Sequence, residues 1–135
     1  MSKHPMQTYH DALLGIARQA ESIAGEGGPS ADLLEMTDMR AQTLETLGAY
    51  QGYVHRQILV GARESDAAHR LKAAEDLKIA CIQVALHYQS FALRWTHAEA
   101  LADWTGYRAA VTAMADGIRG HVSDWSDTQR VLAIA

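Results

Sequence analysis

Seven histidines, one cysteine and a run of aromatic residues are the side chains here with chemistry to offer. Histidines in an all-helical chain raise the question of a metal bundle. Carboxylate-bridged di-iron sites take Glu-x-x-His pairs, because that spacing aims both ligands at one metal from one helix face. No glutamate in the chain has a histidine three places later, and zinc-type His-x-x-x-His and Cys-x-x-Cys pairs are absent as well. Neither a metal nor another cofactor is expected. Cys81 falls between Leu77 and Val84 on an apolar seam, where burial raises a thiol pKa, so it reads as a small core residue and not as a nucleophile. Gly25-Glu-Gly-Gly-Pro29 lacks the Lys-Ser/Thr sequel of a phosphate loop and reads as a linker.

The densest collection of functional side chains is His87, Tyr88, Phe91, Arg94, Trp95, His97, Glu99, Trp104 and Tyr107. Rings with polar handles beside His and Arg suit a pocket or an interface anchor. Tyr88, Phe91 and Trp95, however, continue one helix face of ordinary core residues, and aromatic stripes at helical spacing are usually core. His87 has no charged neighbour in the run from Ile79 to Leu93, and a satisfied buried imidazole is the expectation for it ahead of a catalytic base.

Helices must position these residues. The only prolines are Pro5 and Pro29, so 106 residues from Ser30 onward lack the strongest helix breaker, and no segment alternates as a strand would. After a flexible lead-in over residues 1–7, a first helix is expected from Thr8 to about Ala24, buried along Leu13, Leu14, Ile16, Ala17, Ala20 and Ile23. Residues 25–30 form a Gly-rich connection, with Gly25 as stop and Ser30 as the next N-cap. A second helix carries the seam Leu44, Leu47, Gln51, Val54 and Ile58; Gly48 and Gly52 on it signal either close approach, a hinge or mere tolerance.

The next break is expected over Gly61 to Ser65, before a helix from about Asp66 to Trp95. Its first seam is Leu71, Ala74, Leu77, Cys81, Val84, Tyr88, Phe91 and Trp95. A second apolar line, Ile79, Ile82, Leu86 and Leu93, lies on another face, which makes this helix either central to the bundle or part of a self-association surface. Thr96-His-Ala-Glu99 has the form of a capping box, with a break near Thr105-Gly106 as the alternative. The following seam is Leu101, Trp104, Arg108, Val111, Ala115, Ile118, Val122 and Trp125, and Ser126 to Gln129 caps a short last helix carrying Val131, Leu132 and Ile134. The fold class is therefore all-α: one domain over residues 1–135, a bundle of about four long antiparallel helices with a short C-terminal helix.

Composition narrows the function. With 12 basic against 16 acidic residues and a net charge of −4, the chain has no clustered cations for phosphates, so nucleic acid is not an expected partner. The charge-free run is too polar and too short for a bilayer, and the N-terminus has no export signal, so neither a membrane nor secretion is expected. A lone cysteine fits the cytoplasm. Abundant alanine and a preference for Arg over Lys suggest a bacterial source.

Ile23-Ala24, the Gly-rich connection, Asp32-Leu-Leu-Glu35, Arg40 and Leu44-Glu-Thr-Leu47 together resemble the front half of small bacterial flagellar export chaperones. The likeness covers roughly a quarter of the chain, and the C-terminal half, with three tryptophans, departs from that family's polar ending. Two functional readings follow. One is a non-enzymatic helical interaction protein, an adaptor, chaperone or regulator, that uses an apolar helix face such as that of Ile82 and Leu86 to meet a protein partner or form a homodimer. The other is a ligand-binding or catalytic bundle with a pocket lined by the His87 to Tyr107 segment, including Tyr88, Phe91, Trp95, His97 and Trp104.

Overall fold

The computed structural model describes residues 4–27 and 33–132, and among these there is no strand. The elements are α1 (Pro5–Ser22), α2 (Leu33–Tyr53), α3 (Val60–Glu64), α4 (Ala68–Arg94), α5 (His97–Ala102), α6 (Trp104–Ser123) and α7 (Trp125–Leu132). Four long helices, α1, α2, α4 and α6, close a bundle in which α1 packs on α2 and α6, and α4 packs on α2 and α6. The short α7 closes one end against α4 and α6. Arg40 reaches the last carbonyls of α4 while His55 meets Lys78 near its start, so α2 and α4 run antiparallel. The core is one continuous cluster of side chains from every helix.

Helix α1 starts earlier than its Thr8 signal. Pro5 occupies the first helical position, where its missing N–H is no loss, and the His4 imidazole caps the turn by accepting from the Met6 N–H at 3.1 Å. Residues 5–7, expected in a flexible lead-in, thus form the first turn, and Met6 is fully buried. Gly25 does not stop the helix: a π-helical turn carries the backbone on from Ile23 to Gly27. The Ser30 cap and Ile134 lie outside the described residues.

The expected seam of the second helix holds at Leu47, Val54 and Ile58, which are buried, and misses at two positions. Leu44 is 47% exposed and Gln51 only half-buried, whereas Met36, Met39, Thr43, Leu47 and Tyr50 face the core. Leucine at 44 misled because the true stripe passes through a threonine and a tyrosine, residues that satisfy their own hydroxyls; Thr43 donates to the Met39 carbonyl at 2.7 Å. Gly48 faces open space and the Arg56 side chain lies over Gly52, so no neighbouring helix approaches closely at either position. A π turn at Val54–Leu59 then takes up an extra residue, so that Ile58 and Leu59 both reach the core.

Gly61 lies within α3, and the chain turns later, at Ser65 to Ala67. Asp66 makes the turn with φ of 58°, the left-handed region that Asp tolerates better than most side chains. Replacing Asp66 with Ala should therefore cost about 1 kcal/mol, while Asp66→Gly should cost nothing or stabilise slightly; thermal unfolding of the two variants separates them.

At the far end the break expected at Thr96 occurs, and Thr105-Gly106, the alternative, lies inside the first turn of α6. Thr96 caps α5 by accepting from the Glu99 N–H at 3.3 Å, as its capping box implies. A second break falls at Asp103, whose carboxylate accepts from the Gly106 N–H at 3.0 Å and starts α6. Tyr107, not Arg108, then occupies the seam, and Leu101 is 41% exposed. The last helix begins at Trp125, so Ser126 lies inside it and does not cap it.

Candidate functional site

The structure brings the aromatic part of the His87 to Tyr107 segment together. Tyr107, with no exposed surface, is the hub: its ring lies 6.0 Å from Phe91, 6.0 Å from Trp95 and 5.0 Å from Trp104, and Phe91 continues to Tyr88 at 5.9 Å. These separations are those of packed rings. The Trp104 indole donates to the Ala24 carbonyl at 2.9 Å, fastening α6 to the end of the first helix. Arg40 donates to the carbonyls of Ala92 and Trp95, the C-terminal groups of α4 that have no partner within their own helix. The hydroxyls of Tyr88 and Tyr107 are buried without a hydrogen-bond partner among the described residues. Burial pushes the ionisation of both phenols up.

The polar members of the segment lie elsewhere. His87 is exposed, contrary to the buried imidazole expected of it, and it rims a groove of about 90 Å³ between α4 and α6 lined by Val84, Tyr88, Met114 and Ile118. His97 is half-buried, its Nδ1 enclosed and unpartnered among the described residues. Arg94 lies over the Trp95 ring at 4.3 Å and pairs with Glu99 at 3.5 Å on the surface.

Helix α4 is not wrapped on all sides. Its first seam is buried at Ala74, Leu77, Cys81, Tyr88, Phe91 and Trp95 and half-buried at Leu71 and Val84, but Ile79 and Leu86 are 54% and 53% exposed, Leu93 is 81% exposed and Ile82 is half-buried. Residues 79, 86 and 93 repeat every seven positions, two turns of helix, on the side turned away from Leu77, Cys81 and Tyr88.

Sequence reasoning missed a second cluster, which lies inside the bundle. Tyr50 of α2 stands between two imidazoles, its hydroxyl 2.9 Å from His10 Nε2 of α1 and 2.7 Å from His121 Nε2 of α6. Cys81 Sγ of α4 is 4.0 Å from the same His121 nitrogen. All four long helices contribute to this one cluster. Burial, with the neighbouring His121, pushes His10 down to about 4, against the opposing pull of Asp11. Burial also lowers His121, although Asp124 opposes it. It raises the Tyr50 phenol, and it pushes the Cys81 thiol up to about 11. One face of His10 borders an open cleft of about 390 Å³ between α1 and the α6–α7 junction, lined also by His4, Asp11, Ser123, Trp125 and Gln129.

No family model, curated protein or solved structure matches the chain. A phenol has one proton to give, so Tyr50 donates to at most one of the two imidazoles and accepts an N–H from the other, with the Cys81 sulfur as a further partner within reach. Near pH 7 His10 is neutral and far below the pKa of a base matched to that pH, and Cys81 is a thiol and not a thiolate. No group of three or more His, Cys, Asp or Glu among the described residues is arranged to hold a metal ion. The missed cluster left one trace in the sequence: His10, Tyr50, Cys81 and His121 each sit three or four residues from a core residue, Leu13, Leu47, Leu77 and Ile118.

Proposed function

We propose that the chain is a non-enzymatic helical interaction protein that forms a homodimer through the outer face of α4. The exposure of Ile79, Leu86 and Leu93 along one heptad line, with no charged residue from Ile79 to Leu93, is the observation that carries this reading. Isolated exposed leucines are ordinary, but Ile79, Leu86 and Leu93 share one helix face at heptad spacing with uncharged Gln83, Gln89 and Ser90 between them, the spacing of a helix-pairing seam. The strip is symmetric about Leu86. A two-fold axis there would set Leu86 against its copy and Ile79 against the copy's Leu93, an antiparallel pairing that needs no second surface. A single helix pair is small for an interface, so a dissociation constant on the order of micromolar is expected.

This reading needs no membrane, and no helix among the described residues is long and apolar enough to cross one. The free, buried thiol of Cys81 suits the reducing cytoplasm, where we place the protein. A bacterial chaperone-like role would be one form of such a function. The ligand-binding alternative draws less support, because Tyr88, Phe91, Trp95 and Tyr107 pack on one another.

Leu86→Glu supplies the test. It places two charges at the symmetry centre and should weaken association about a hundredfold, ~3 kcal/mol, while stability stays within about 0.5 kcal/mol because the site is exposed in the monomer. Sedimentation across micromolar concentrations should show dimer for the unaltered protein and monomer for the variant. A monomer throughout for the unaltered protein, or a dimer indifferent to the change, would overturn the proposal.

A further inference from the structure

Helices α1, α2 and α6 meet at one hydrogen-bonded bridge, His10–Tyr50–His121. His10 is 4% exposed. Where one imidazole accepts the phenol proton at Nε2, protonating that imidazole removes the acceptor and turns an N–H toward the Tyr50 oxygen, so the phenol proton must find another acceptor. Protonating the other imidazole adds its proton at Nδ1, leaves the bridge in place and puts a cation in the buried contact. Charging both places two cations about one phenol, with ring centroids 6.2 Å apart.

The surroundings do little to absorb such charge. From α1 and its cap come His4 and Asp11, from α4 the thiol of Cys81, and from the end of α6 Asp124; the Tyr9 ring packs against Tyr50, with Tyr53 on Tyr9 beyond it. On α7, Asp127 and Arg130 pair with each other on the surface, and the ring facing His10 is Trp125, edge-on at 5.7 Å. Only Asp11 and Asp124 favour the charged forms, and desolvation outweighs both. The 390 Å³ cleft beside His10 gives water a short way in once the contact loosens.

We propose that the His10–Tyr50–His121 bridge is an acid-sensitive latch that holds α1 against α2 and α6 at neutral pH and releases it in mild acid while the remaining helices stay formed. Release exposes the cleft and the inner face of α1, including Leu13 and Ile16. The latch is independent of the α4 outer strip, which lies on the far side of that helix from Cys81.

Hydrogen exchange of the α1 amides is the test, with Trp125 fluorescence as a second readout. Taking His10 from its ordinary value of 6.5 to about 4, the open form gains about 30-fold over the closed one at pH 5. Protection of α1, corrected for intrinsic exchange, should therefore fall about 30-fold or more between pH 8 and pH 5, while protection in the middle of α4 falls much less. In His10→Gln with His121→Gln, both uncharged, that pH dependence should vanish. Uniform loss of protection over all helices, or an unchanged pH dependence in the double variant, would overturn the latch. Should the double variant not fold, imidazole titration by NMR in the unaltered protein decides: both His10 and His121 must titrate below 6.5, and a value at or above 6.5 for either refutes the proposal.

Discussion

Tyr107→Ala is expected to unfold much of the protein's stability margin, costing about 3–5 kcal/mol, whereas Tyr107→Phe is expected to be neutral or slightly stabilising. The ring is wholly buried and touches Phe91, Trp95 and Trp104 at once, so its removal leaves a cavity that three large rigid rings cannot fill. The hydroxyl has no hydrogen-bond partner among the described residues, and an unmet buried hydroxyl costs folding free energy that phenylalanine does not. Denaturant midpoints measure both. A loss above about 1 kcal/mol for Tyr107→Phe would show that the phenol carries a bond, with Arg40 as the nearest candidate.

Stability should plateau from about pH 6.5 to 9 and fall on both sides. His10 is held below its ordinary value in the folded state, so the unfolded chain takes up the proton first as pH falls. Its contribution is complete above 6.5 and is lost progressively down to about 4, amounting to about 3 kcal/mol at full loss. His121, lowered for the same reason, adds to the loss in that direction. On the alkaline side the Cys81 thiol is held up at about 11 from 9.0, so the unfolded chain ionises first and stability declines as pH rises through that interval. Denaturant unfolding at fixed ionic strength from pH 4 to 11 would reveal this shape. A flat acid limb in the unaltered protein, or one unaffected by His10→Gln, would contradict the assigned cause.

The sequence carried the helical class through the absence of proline after Pro29 and through the three-four spacing of α4, whose seam from Ala74 to Trp95 is buried almost as written. It was less legible wherever polar residues entered the core. The α2 stripe passes through Thr43 and Tyr50 and the α6 stripe through Tyr107, so choosing the more apolar neighbour at 44 or the wrong turn partner at 108 shifts the register by one residue. The two π turns, at Ile23–Gly27 and Val54–Leu59, left no sign in the three-four spacing, because one inserted residue shifts the stripe without interrupting it. Of the candidate residues, Tyr88, Phe91, Trp95 and Tyr107 were found as a cluster because they are close in sequence. His10, Tyr50, Cys81 and His121 come from four helices, and nothing short of the folded bundle brings them together.

The central claim concerns Leu86, and one oxidation experiment reaches it most directly. Cys81 is 2% exposed, so the native thiol should not compete with an introduced one. If two copies meet at α4 about an axis through Leu86, Leu86→Cys should give a covalent dimer under mild oxidant. Thr112→Cys, at another exposed position on α6, should stay monomeric. A Leu86→Cys protein that remains a free thiol, or a Thr112→Cys protein that cross-links just as fast, would contradict it.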